Sequence, residues 1–223
     1  MPGQPPATLV FDLDGTLLDV SARNFHVYST ICTSLGGEPL DRTTYWRLKR
    51  LRAGWPQILG ASGLTPDHFA TFEAEFEAQI ELPINLGFDV LFPAAIPLLT
   101  KVAAHHTCVL VSLRGSPTAL RAQLGVLGLR PFFEAIENGR GDGEPAFTVK
   151  AGLIRRAVPA GTPAIVIGDT EADVMAASAL DYPCIAVCSG IREREILEIQ
   201  EPAYLVDDLS GVEGALRSAG ALS

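Results

Sequence analysis

The chain is short of lysine, of paired cysteines and of long apolar runs, and each shortage removes a class of function. No stretch reaches the roughly 18 apolar residues of a membrane span. The most apolar region, DVLFPAAIPLLTKVAA, is interrupted by Pro93, Pro97 and Lys101. The opening MPGQPPATLV has neither the basic start nor the apolar run of a signal peptide. The expectation is a soluble, cytoplasmic protein with no membrane partner. The four cysteines, Cys32, Cys108, Cys184 and Cys188, include no Cys-x-x-Cys pair. Cys184 and Cys188 share a strand-like segment, CIAVC, and would stand about 13 Å apart at roughly 3.3 Å per residue. That is too far for one disulfide or one metal, so they read as reduced core thiols. Positive charge is also in deficit. Seventeen Lys and Arg against 26 Asp and Glu leave a net charge of −9. Such a chain repels nucleic acid and anionic lipid as broad partners, and a small anion is admitted only where a cation or local basic groups offset the field. Only Lys49, Lys101 and Lys150 are lysines.

Against these shortages, 48% of the 223 residues are hydrophobic. That suffices for one domain of ordinary size, or one domain with an insertion. Apolar segments recur with helical ones between them: TLVFDLD (8–14), TCVLVSL (107–113), PAIVIGD (163–169), PCIAVCS (183–189) and the short AYLVDD (203–208). They are apolar throughout rather than alternating, as parallel strands covered on both faces are. The alternation of strand and helix predicts an α/β fold, a Rossmann-like doubly wound parallel sheet. One interval breaks the rhythm. Between about 20 and 90 the segments ARNFHVYSTICTSL, RTTYWRLKRLR and PDHFATFEAEFEAQI are helix-like. In the last, Phe69, Phe72, Phe76 and Ile80 recur at helical spacing and read as core packing, with Pro66 and Asp67 opening the helix. The expected division is a core of 1–19 and 91–223 with a helical insertion over 20–90. The loop ENGRGDGEP (137–145) is expected to be the most flexible part of the core.

In an open parallel sheet, ligands bind beyond the carboxyl ends of the strands. Asp12 and Asp14 sit at such an end, Ser112 closes the second strand, and Asp169 closes the third, with Asp173 four residues later at a helix start. Each Asp alone would be a turn or cap residue. Three strands delivering polar residues to one edge point instead to a site. Burying an ionised carboxylate is costly unless it is paired or bound to a cation. Of the lysines, Lys49 lies in the insertion and Lys101 in an exposed-looking helix. Lys150 alone lies between the second and third core strands.

Asp12-Leu13-Asp14-Gly15-Thr16, Ser112 after an apolar strand, Lys150, and Gly168-Asp169-Thr170-Glu171-Ala172-Asp173 resemble, in order and spacing, the four signature elements of the haloacid-dehalogenase-like hydrolases. The resemblance covers essentially the whole chain. It implies that the 20–90 insertion is an α-helical cap domain over the Rossmann-like core. It also implies a chemistry, the Mg²⁺-dependent hydrolysis of a small phosphorylated metabolite. A phosphate monoester hydrolyses extremely slowly in water, and a divalent cation offsets the repulsion between it and an attacking carboxylate. By this resemblance Asp12 is the nucleophile and forms an aspartyl-phosphate. Asp12, the backbone carbonyl of Asp14 and Asp169 are the Mg²⁺ ligands, and Asp173 acts through a metal-bound water. The Asp14 side chain is the general acid and base, Ser112 donates to a phosphoryl oxygen, and Lys150 neutralises charge on the phosphoryl group and Asp12.

Departures from relatives narrow the reading. Dehalogenases of the family lack the second carboxylate and use no metal, whereas Asp14 and Asp169 are present here. Phosphosugar mutases typically carry a histidine twelve residues after the nucleophile. Asn24 stands there, and His26 reads as a packing or surface residue. Phosphoglycolate-type enzymes often show Lys-Pro at the third element, where this chain has TVKAGL. In the insertion, Arg47, Lys49, Arg50 and Arg52 form a basic cluster, a solvated helix face or a grip on the substrate's far end. Arg52, before Ala53-Gly54, resembles the substrate-reading loop of related caps. Arg114 is a second candidate for substrate contact, or a rim ion pair. His105 and His106 are expected to end a helix, and Trp46 and Trp55 to pack in a core. The expectation is a phosphatase, monomer or homodimer, using Mg²⁺. A phosphosugar mutase and a catalytically inactive binding domain are the alternatives.

Overall fold

The computed structural model describes residues 7–141 and 143–222. Among the described residues, eight strands run in the order β1 (Thr8–Phe11), β2 (Leu18–Asp19), β3 (Val90–Leu91), β4 (Thr107–Ser112), β5 (Ala135–Asn138), β6 (Ala164–Gly168), β7 (Cys184–Val187) and β8 (Tyr204–Val206). The α-helices are α1 (Ser21–Ser34), α2 (Arg42–Arg50), α3 (Trp55–Ala61), α4 (Phe69–Gln79), α5 (Pro83–Leu86), α6 (Ala95–Val102), α7 (Pro117–Val126), α8 (Ala146–Ala157), α9 (Glu171–Ser178), α10 (Arg194–Glu198) and α11 (Val212–Ser218). By contact the chain divides into two compact units, one of residues 1–18 and 91–223, the other of residues 19–90.

The larger unit holds a six-stranded sheet in the order β5-β4-β1-β6-β7-β8. Every neighbouring pair is parallel. The chain builds outward from β1 through β4 to β5, then returns to the other side of β1 to lay down β6, β7 and β8. This is the doubly wound α/β arrangement, and the reversal beside β1 opens a crevice at the carboxyl edge. Val10, Val109, Val111, Val166, Cys184 and Ala186 share a buried cluster with Ala151, Leu153 and Ile154 of α8 and Val174, Ala176 and Ala177 of α9. The alternate residues Leu9, Phe11, Leu110, Ile165, Ile167 and Ile185 are buried too. Both faces are therefore covered, which explains why the strands read as unbroken apolar runs. Register places Phe11 beside Leu110 and Ile167, so Asp12, Ser112 and Asp169 leave their strands at nearly one level.

β5 is a strand beyond those expected, and its residues AIEN form no apolar run because they are half-buried and only partly apolar. Its last two residues, Glu137 and Asn138, open the segment expected to be the flexible loop, of which Asp142 lies outside the described residues. The helix expected from Pro66 begins as a 3-10 turn, Pro66–His68, before α4. α6 stops at Val102, so His105 and His106 lie beyond the helix. His106 is buried, and its Nδ1 accepts from the Ala7 N–H at 3.3 Å. Among the described residues, no helix is long and apolar enough to cross a membrane.

The smaller unit is helical. Val27, Tyr28, Ile31 and Cys32 of α1, Tyr45 of α2, Ile58 and Leu59 of α3 and Phe72 and Phe76 of α4 form its core. Trp46 and Trp55 pack against it, as expected, and Phe69 lies at its margin. Asp41 caps α2 by accepting from the Thr43 and Thr44 N–H groups, both at 3.0 Å. Arg23 and Asp89 form a buried ion pair at 3.1 Å. Phe72 is fully buried, with ring centroids 4.8 Å from Trp55, 5.9 Å from Phe76 and 6.2 Å from Tyr28. Phe72→Ala is expected to cost about 3–5 kcal/mol in urea unfolding, the usual loss for a truncated core aromatic. A cost below about 1 kcal/mol would contradict this packing.

Candidate active site

The carboxyl edge of the sheet gathers most of the residues expected there. Asp12 follows β1, and its N–H bonds to the Ile167 carbonyl at 2.9 Å. Asp169 follows β6. Asp173 lies in the first turn of α9, where Thr170 is the N-cap. Asp173 Oδ2 accepts from the Thr170 N–H at 3.1 Å and from its hydroxyl at 2.7 Å, a capping box that fixes the carboxylate. Carboxylate oxygens of Asp12, Asp169 and Asp173 lie within 4.8 Å of one another, and all three residues are buried.

Lys150 reaches this cluster from the inward face of α8, whose Ala151, Leu153, Ile154 and Ala157 pack in the core. Its ammonium stands 2.6 Å from Asp12 Oδ1 and 2.5 Å from Asp173 Oδ1. Three carboxylates thus face one ammonium in a dry site. Burial pushes the Asp12 carboxyl well above its ordinary value; Lys150 opposes this, and the neighbouring Asp173 and Asp169 charges add to it. Burial, then the Asp173 charge, raises Asp169 to about 7. Burial disfavours the Lys150 ammonium, but Asp12 and Asp173 outweigh it, and its pKa is raised.

Space around the carboxylates is supplied by glycines. A Cβ on Gly168 would stand 2.1 Å from Asp173 Cγ. Gly15 has φ +91°, and its Cβ would meet Asp169 Oδ2 at 2.1 Å. The tight turn after β1, with the Gly15 N–H bonded to the Leu18 carbonyl at 2.8 Å, therefore needs glycine twice over.

Asp14 is not part of the carboxylate cluster. Arg114 grips it two-pronged, Nε to Oδ2 at 2.7 Å and Nη2 to Oδ1 at 2.5 Å. The same guanidinium donates through Nη1 to Gln123 Oε1 at 2.5 Å. Arg114 is buried, so it forms the ion pair rather than standing open to a ligand. Ser112 is buried at the end of β4, and its Oγ accepts from the Arg114 N–H at 3.3 Å. Arg52 belongs to the smaller unit. It is exposed and holds φ +66°, just past the end of α2, where glycine is the usual residue. Asn24 returns its amide to the Val20 carbonyl at 3.0 Å, and exposed His26 lies tilted against Phe88 with centroids 4.5 Å apart.

Two contacts to Asp169 were not anticipated. The Thr16 hydroxyl donates to Oδ1 at 2.9 Å, and the Ile191 N–H donates to Oδ2 at 2.6 Å. Thr16 stood inside the quoted motif, and Gly190 after an apolar strand was the available signal for the second.

The donor set suits a hard divalent cation. Its oxygens are carboxylates, and the site carries more buried negative charge than Lys150 offsets.

Fold and site together define a doubly wound α/β protein with an acidic, lysine-bridged centre beside the point where strand order reverses. The chain belongs to the haloacid dehalogenase-like hydrolase family, whose model matches residues 6–181. It is 26% identical over 204 residues to the phosphoglycolate phosphatase of Synechococcus elongatus, covering 89% of this chain and 92% of that protein. Among solved structures it is similar to a haloacid dehalogenase-like family hydrolase from Streptococcus pneumoniae, with TM-score 0.77, 21% identity and coverage of 95% of this chain and 98% of the other. A predicted phosphatase from Clostridium acetobutylicum gives TM-score 0.75 at 18% identity, covering 96% and 100%.

The raised Asp169 pKa has a stability consequence in the metal-free chain. An acid whose folded pKa lies near 7 and whose unfolded pKa is near 4 stabilises the fold when protonated and loses that contribution as pH rises through 7. Asp169→Asn is therefore expected to raise the metal-free melting temperature at pH 8 by about 2–5 °C, and to do so less at pH 5. An equal or negative shift at pH 8 would contradict the assignment.

Proposed function

We propose that this hydrolase is a phosphatase, which uses a divalent cation, Mg²⁺ by the donor set, to hydrolyse a small soluble phosphomonoester through an aspartyl-phosphate. The observation that carries this reading is the buried Asp12 carboxylate, held by Lys150 among Asp169 and Asp173 at the end of β1. Asp12 attacks phosphorus, and the bond to the leaving oxygen breaks as the Asp14 carboxyl, released from Arg114 and protonated from solvent, gives that oxygen a proton. Water then attacks the aspartyl-phosphate, passes a proton to Asp14 and releases inorganic phosphate. Lys150 holds Asp12 in line and offsets charge on the phosphoryl group, and Ser112 donates to a phosphoryl oxygen. Asp12, the Asp14 carbonyl and Asp169 would hold the cation, which would supply the neutralisation that lets two anions meet. Asp173 keeps Lys150 and the start of α9 in position. Residues 20–90 are the helical cap domain, and 1–19 and 91–223 the core domain.

The substrate is a small phosphorylated metabolite. Arg52 is assigned to its non-reacting end; the cost of holding an arginine at positive φ favours a functional reason for that residue. Arg114 contacts substrate only once its grip on Asp14 loosens. The relative from Synechococcus makes 2-phosphoglycolate a first compound to try. A mutase gains no support from Asn24, whose amide is turned back onto its own helix.

Phosphate release from 2-phosphoglycolate, sugar phosphates and nucleoside monophosphates tests the reading. Release is expected with Mg²⁺, to stop with chelator, and to fall by about a thousandfold or more in Asp12→Asn. Release that survives Asp12→Asn would exclude the aspartyl-phosphate route, and an isomeric sugar phosphate in place of free phosphate would make the protein a mutase.

A further inference from the structure

The segment Ser189–Arg192, which follows β7 and lies outside the four signature elements, touches the acidic centre in two ways and is anchored beside it by a third contact. The Ile191 N–H donates to Asp169 Oδ2 at 2.6 Å. Gly190 is packed so closely that a Cβ would stand 2.2 Å from the same oxygen, 2.5 Å from Asp169 Cβ and 2.4 Å from the Gly15 carbonyl oxygen. Arg192 then lays its guanidinium on Glu171, Nε to Oε2 at 2.7 Å and Nη2 to Oε1 at 3.2 Å. Glu171 opens α9 two residues after Asp169, and the pair is mostly withdrawn from water, at 18% and 13% side-chain exposure. The loop is thus tied to the helix that follows Asp169 while its backbone presses on Asp169 itself. From the opposite side the Thr16 hydroxyl holds Oδ1 at 2.9 Å.

We propose that the 189–192 loop is a positioning element that fixes the Asp169 carboxylate in advance and so sets the affinity of the centre for a divalent cation. This deepens the phosphatase reading and rests on its cation site. Gly190 is required because only a residue without Cβ lets the chain come near enough for the Ile191 N–H to reach the carboxylate. A carboxylate held in place from both sides spares a cation the cost of ordering it. Groups that orient a metal ligand are commonly worth about 10- to 100-fold in affinity. The Arg192–Glu171 pair acts one step further out, by anchoring the loop.

The test is Mn²⁺ binding to the full chain, followed by the paramagnetic resonance signal of free Mn²⁺, with thermal unfolding of every variant alongside. Gly190→Ala is expected to weaken binding about 10- to 100-fold. Glu171→Gln and Arg192→Met are each expected to weaken it about threefold, within the range of one lost exposed or half-buried ion pair. The swap Glu171→Arg with Arg192→Glu is expected to recover part of that loss. Gly214→Ala, where a Cβ meets open space, is the control and leaves affinity unchanged. Unchanged affinity in Gly190→Ala beside a binding wild type overturns the inference and leaves the cation site standing. A wild type that binds no Mn²⁺ overturns the cation site, and the inference with it. Where Gly190→Ala does not fold, unchanged affinity in both Glu171→Gln and Arg192→Met overturns it.

Discussion

The organising constraint is the burial of three carboxylates around one ammonium. Asp12, Asp169 and Asp173 are withdrawn from water within a few ångströms of one another, and Lys150 alone stands directly between two of them. Such a group survives folding only if each oxygen finds a donor, a counter-charge or a cation. Much of the surrounding structure follows from that requirement. Thr170 gives Asp173 two hydrogen bonds while it caps α9, Thr16 and Ile191 divide the oxygens of Asp169, and three glycines stand where any side chain would collide with a carboxylate.

Several residues therefore serve the fold and the acidic centre together. Asp173 is at once the third residue of a capping box and the partner that turns Lys150 toward Asp12. Losing it would loosen a helix start and leave a buried ammonium half compensated. Arg114 likewise joins Asp14, after β1, to Gln123, on α7, and its carbonyl takes the Asn138 amide from the end of β5 at 3.0 Å. In an acidic chain, these two cations, Lys150 and Arg114, stand at the carboxyl edge of the sheet beside Asp12, Asp173 and Asp14.

Much of the architecture could be read from residue order. Parallel strands covered on both faces leave unbroken apolar runs, and five of the six strands of the main sheet carry that mark. β5 does not, because it is an edge strand with half-exposed side chains, and such a strand has no need to be apolar throughout. The helical interval was legible from spacing, although α3 and α5 within it, and α7, α10 and α11 elsewhere, were not singled out. At the site, the rule that ligands gather at carboxyl strand ends picked out Asp12, Ser112 and Asp169 before any contact was known. It was silent on which groups touch. Thr16 and Asp169 are 153 residues apart, Asp14 and Arg114 are 100 apart, and Asp169 and Ile191 are 22 apart.

Residue order alone was enough for the doubly wound class, the helical interval and the polar residues at the strand ends, since these rest on local periodicity and on the direction of parallel strands. The partners of those residues came from three-dimensional packing. Strand register sets which carboxylates share a level, and the turn after β1 sends Asp14 to Arg114 and away from the cluster. The close approach of Gly190 brings a backbone N–H to Asp169. Each of these is a distance between segments far apart in the chain, and no local pattern of residue types encodes such a distance.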